Sequence, residues 1–123
     1  VSIGEGCILY PGVSVNYNTT IGDFVILNMN CGIGHDCVIG KKSSFAPGVF
    51  IGGNTKVEDY TEMGIGSQCL QNITIGANVK VGAGTVIIRD VPDDVTIVGN
   101  PGRILEDSKE EDVDEFKRKV QEV

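Results

Sequence analysis

The sequence predicts an all-β protein, a parallel β-helix of about five coils closed by a short loop and followed by an amphipathic C-terminal α-helix. Two observations predict the β-helix. An apolar residue recurs at every sixth position from Ile3 to Ile87 without a gap, and the position after it is glycine in eight of those fifteen hexads. A third observation, helical spacing of Val113, Phe116, Val120 and Val123 behind a Ser108/Glu111 capping box, predicts the terminal helix.

A six-residue period matches neither a 3.6-residue helical face nor a long two-residue alternation. It suits short strands that turn after every hexad, with the first and fifth side chains inward. The fifth position holds only Cys, Val, Thr, Ser or Ile, all small enough for a narrow interior, and the chain has no Trp. Three sides close a triangular coil, and coils stack as parallel strands about 4.8 Å apart. Each coil buries its interior only against its neighbours, so stability comes from stacking.

The prism occupies residues 1–92. Asp90-Val91-Pro92 breaks the period, because proline has no N–H to give a stacked strand. Residues 93–105 form a closing loop, with an extended stretch from Val95 to Val98 and a tight Gly99-Asn100-Pro101-Gly102 turn. Residues 106–123 form the helix. That tail holds eight of the 17 acids and four of the 10 bases, so it carries −4 of the net −7. No basic stripe marks a nucleic-acid or anionic-membrane partner. The chain opens on Val1 without methionine, signal peptide or apolar span, which reads as a portion of a longer cytoplasmic protein.

The four cysteines invite a disulfide or zinc reading, which their phase argues against. Cys7, Cys31 and Cys37 fall on the inward fifth position and Cys69 on the inward first, where a thiol serves as a small hydrophobe.

Residues one coil apart stack along the edges of the prism, so the edges can be read as columns. One column is Glu5, Asp23, Lys41, Asp59, Ala77, a mostly charged edge suited to water. Another is Pro11, Met29, Pro47, Ile65, Ala83, an apolar edge that reads either as a subunit contact or as scattered surface hydrophobes. The remaining column is Tyr17, His35, Gly53, Gln71, Arg89 and holds the chain's single histidine. His35 reads either as a surface turn residue or as a general base, with Asp36 placed to orient its ring. Gly53 directly above leaves an open slot. Arg89 follows three coils up, about 14 Å by strand spacing, a distance that fits an acyl thioester at His35 with a phosphorylated arm reaching Arg89.

The hexads, the segment Ile33-Gly34-His35-Asp36-Cys37-Val38-Ile39-Gly40, the pair Gly53-Asn54, the hexad Val81-Gly82-Ala83-Gly84, Asp90-Val91-Pro92 and Val98-Gly99-Asn100-Pro101-Gly102-Arg103 together resemble the left-handed β-helix acyltransferases. The resemblance is to the branch that acetylates amino sugars, the sialic acid O-acetyltransferase and nucleotide-amino-sugar N-acetyltransferase group. It implies a left-handed coil, a homotrimer with each active site between neighbouring prisms, and acetyl-CoA as cosubstrate without a metal. It implies His35 as the base that deprotonates the acceptor amine or hydroxyl, supported by Asp36. Gly53 matches a glycine whose backbone contacts thioester and pantetheine, and Asn28 matches a polar residue near the acceptor. Ser44 stands where many members carry a second histidine near the acetyl group, and Gly102 where alanine is usual. Members usually also carry a nucleotide-sugar-binding domain ahead of the prism.

The column assigns Gln71 and Arg89 to coenzyme A, the closing turn adds Arg103 so that two guanidinium forks meet its phosphates, and the resemblance implies Asn28 and Ser44 on the acceptor side. Two other readings stand. One is a catalytically silent trimeric scaffold. The other is a metal enzyme of the γ-carbonic anhydrase kind, which needs three imidazoles where each chain has one.

Overall fold

The computed structural model describes residues 1–105 and is a parallel β-solenoid of about five turns. The expected C-terminal helix, with its Ser108/Glu111 cap, lies outside the described residues.

Three walls of two-residue strands make the prism. The first wall stacks Ser2–Ile3, Thr20–Ile21, Val38–Ile39, Lys56–Val57 and Thr74–Ile75. The second stacks Ile8–Leu9, Ile26–Leu27, Ser44–Phe45, Glu62–Met63 and Lys80–Val81, then Thr96–Val98 and Arg103–Ile104. The third stacks Ser14–Val15, Gly32–Ile33, Phe50–Ile51, Gln68–Cys69 and Val86–Ile87. Pairing runs at eighteen residues, as in Thr20↔Val38 and Ile21↔Ile39.

The inward positions are those the hexads mark. Leu27, Ile33, Val57, Ile75 and Ile87 are fully buried from the first position, and Val25, Val49 and Val79 from the fifth. Each such side chain contributes about 1.5–3 kcal/mol by leaving water. Only the bottom coil departs: Ile3 is 46% and Leu9 40% exposed, because nothing in the described chain stacks beneath them.

Polar residues at the fifth position have a structural use that their spacing did not reveal. Thr19, Thr55 and Thr61 donate to the carbonyls of Gly34, Leu70 and Gly76, each fifteen residues on, where the next coil rounds its corner. Ser43 does the same to Glu58, and the thiols of Cys7, Cys31 and Cys37 approach Gly22, Ala46 and Gly52. A short hydroxyl or thiol therefore satisfies a buried carbonyl that the ladder leaves over. The cysteines are all free, and burial pushes the Cys69 thiol up to about 12. Burial likewise raises Cys31 and Cys37, so these thiols are packing groups and not nucleophiles.

The fourth hexad position turns every corner with a positive φ up to Gly84, and Asp90 in the last hexad does not. Gly, Asn or Asp occupies it in most coils, including Asn18, Asn54 and Asp36, while Phe24, Lys42 and Tyr60 are bulky exceptions that share one edge. Asp36 sits there at φ 56°, a conformation that Asp and Asn tolerate better than most residues.

Pro92 marks a change of register. Ile75 bridges to Val91 and Lys80 pairs with Thr96, sixteen residues on, so the last coil is shorter by two and the parallel ladder continues past the proline. Arg103–Ile104 then folds back antiparallel on Thr96–Val98. Among the described residues no helix is long and apolar enough to cross a membrane.

Candidate active site

His35 and Asp36 occupy the turn between the third and first walls. The turn is tied to its neighbours by backbone bonds: Asp36 N donates to the Tyr17 carbonyl at 3.0 Å, and Asn54 N to the His35 carbonyl at 2.7 Å. These bonds set the histidine's height on the edge.

The imidazole is held on three sides. Its Nδ1 lies 2.8 Å from Asp36 Oδ2. A carboxylate only accepts, so in the neutral ring Nδ1 carries the proton and Nε2 keeps a free lone pair. Below, the Tyr17 ring stacks on the imidazole with centroids 5.2 Å apart and planes 10° from parallel. Above lies Gly53. A Cβ built there would stand 2.5 Å from Nε2 and 2.8 Å from Cε1 of His35. The slot expected above the histidine is thus filled by the histidine's own ring, and glycine is required because the ring lies over its Cα. About half of the His35 side chain remains open to solvent.

Gln71 and Arg89 continue the same edge upward, at the register the period gives them. Arg89 and Arg103, on either side of the closing turn, line one cavity of about 720 Å³ with Asp90, Val91, Ile97 and Pro101 at the top of the prism. Two guanidinium groups beside apolar walls suit an anionic ligand with an apolar body.

Asn28 and Ser44 come together elsewhere. They line a cavity of about 360 Å³ on the second wall, shared with Glu62 and Lys80. Ala46 and Gly64 line the same hollow, and their small side chains leave it open. The third wall separates this cavity from His35 within one chain. The charged pair Glu62 and Lys80 was not assigned from the sequence. Its signal was available in the outward positions Ser44, Glu62 and Lys80, which stack in register.

The fold and the hexads agree with a comparison against known families. Residues 18–53 match the family described as bacterial transferase hexapeptide (six repeats). The chain belongs to the hexapeptide-repeat transferase family. Within it, a serine acetyltransferase of Synechococcus elongatus is 35% identical over 107 residues, 79% of this chain and 44% of the relative. A GDP-perosamine N-acetyltransferase of Escherichia coli is 37% identical over 111 residues, 86% of this chain and 50% of the relative. A solved mutant of perosamine N-acetyltransferase from Caulobacter crescentus, in complex with CoA and GDP-perosamine, superposes with a TM-score of 0.77 at 31% identity, covering 86% of this chain and 54% of that one. The chain therefore spans about half the length of the curated relatives it matches.

Among the described residues no group of three or more His, Cys, Asp or Glu is placed to hold a metal ion, and the chain's single imidazole is bonded to Asp36 through Nδ1.

Proposed function

We propose that this hexapeptide-repeat protein is an acetyl-CoA-dependent acetyltransferase that acts in the cytoplasm on a nucleotide-linked amino sugar, the class of acceptor that its perosamine N-acetyltransferase relatives are named for. The observation that carries the reading is the His35 ring, oriented by Asp36 on one nitrogen and left with a free lone pair on the other.

In this mechanism the acceptor amine or hydroxyl attacks the thioester carbonyl carbon directly while Nε2 of His35 takes its proton. The tetrahedral intermediate collapses, the C–S bond breaks, and the departing thiolate receives the proton back from the imidazolium. Asp36 stabilises that imidazolium and keeps the ring in one tautomer. Gly53 gives the thioester and pantetheine close approach to backbone beside the base. Gln71 lines the path upward, and Arg89 and Arg103 bind the phosphates.

The acceptor side is Asn28 and Ser44. Because the third wall separates them from His35, the reading makes the protein a homotrimer, with one chain's histidine edge facing the next chain's cavity. The apolar Pro11, Met29, Pro47 and Ile65 edge lies between these two regions, and Met29 and Ile65 are about half exposed in the single chain.

The test is thiol release from acetyl-CoA with a panel of nucleotide-linked amino sugars, free amino sugars and L-serine. Turnover with an amino sugar and none with serine is expected. Turnover with serine alone would replace the substrate class, and no turnover with any acceptor would favour a silent scaffold.

A further inference from the structure

We propose that Tyr17 is a positioning residue for the His35 base. This rests on the reading of His35 as the base, but the geometry it invokes can be measured without turnover.

The corner leaves the imidazole half exposed, and one hydrogen bond does not immobilise a planar ring. The Asp36 contact holds Nδ1, yet the ring can still swing about that point. A second constraint must set its plane. Gly53 bounds it from above, but only the Tyr17 face bounds it from below, at 5.2 Å and nearly parallel. Both layers are pinned by the same backbone bond, since the Tyr17 carbonyl accepts from Asp36 N at 3.0 Å. The coil below therefore supplies the platform and the anchor together.

Tyr17 has little else to do in the chain itself. It is 63% exposed, contributes nothing to the inner column, and its hydroxyl makes no hydrogen bond among the described residues. The aromatic face is the working part, so phenylalanine should replace it and alanine should not. Stacked aromatic pairs in this distance range are worth enough for the loss to slow the chemical step by about two- to tenfold.

The experiment compares wild type, Tyr17→Phe and Tyr17→Ala as assembled protein, prepared without a histidine tag. His35 is the chain's single histidine, so selective ¹⁵N labelling reports its ring alone. Without substrates, wild type and Tyr17→Phe should show the Nδ1–H tautomer, while Tyr17→Ala should move towards the Nε2–H form that free imidazole favours. With acetyl-CoA and the accepted sugar, Tyr17→Ala should lower kcat by that two- to tenfold with KM unchanged, and Tyr17→Phe should restore it. Tyr17→Ala with a wild-type ring spectrum overturns the proposal, as does Tyr17→Phe behaving like Tyr17→Ala. If no acceptor is found at all, the function fails and the ring spectrum still decides the position of His35.

Discussion

The histidine edge and the Asn28–Ser44 cavity are built from the same repeat and differ in what the repeat leaves exposed. At the edge, coil-to-coil stacking packs one titratable ring between Tyr17 and Gly53 and bonds it to Asp36. In the cavity, outward residues of the second wall and the small Ala46 and Gly64 leave a hollow lined by Glu62 and Lys80 that holds no imidazole. One region holds a group in position and the other holds space. A solenoid cannot bend its own wall to join the two, so a complete site on this account needs a second chain.

The sharpest way to break that contrast is to remove the base. His35→Ala should lower turnover by about a hundred- to ten-thousand-fold, the usual range for base catalysis, while melting temperature and coenzyme A affinity stay near wild type. Steady-state thiol release and thermal melting on the same preparation check both halves. Gly53→Ala comes next. Its Cβ would collide with the ring and not with backbone, so the coil should fold while the base is displaced by a substantial fraction of an ångström or more, costing about a hundredfold in kcat. An active Gly53→Ala protein would show that the ring's height on the edge does not matter.

Arg89→Ala or Arg103→Ala should raise the apparent KM for acetyl-CoA by about tenfold with a smaller effect on kcat, the scale of a lost charge-assisted hydrogen bond. Titration of both substrates separates this from an effect on the sugar. Asp36→Asn should be the mildest, about two- to tenfold in kcat, because asparagine accepts the φ of 56° and keeps an oxygen near Nδ1 while losing the charge.

Much of this was legible because the repeat is strict. Ile33 and Val57 announce a buried column by phase alone, and the same phase stacks Tyr17, His35 and Gly53 on one edge. Side-chain direction was less legible. Nothing in the spacing says that His35 leans over Gly53, since that follows from the rotamer chosen by the Asp36 bond and the Tyr17 face. The hydroxyl bonds of Thr19 and Thr61 were hidden for a similar reason: small inward residues look alike until the corner carbonyls they satisfy are in place. The two-residue shortening near Pro92 was visible as a break but not as a continued ladder, because proline signals a missing donor and says nothing about where the next strand pairs.

The most direct test of a site shared between chains is complementation. His35→Ala and Asn28→Ala proteins, each weakened alone, are unfolded together, refolded as an equal mixture and assayed for acetyl transfer. If His35 of one chain works with Asn28 of the next, random trimers should regain about one quarter of wild-type activity, the share of boundaries at which both native residues meet. A mixture no more active than the average of its two parents would contradict the account and place both residues in the same chain's site.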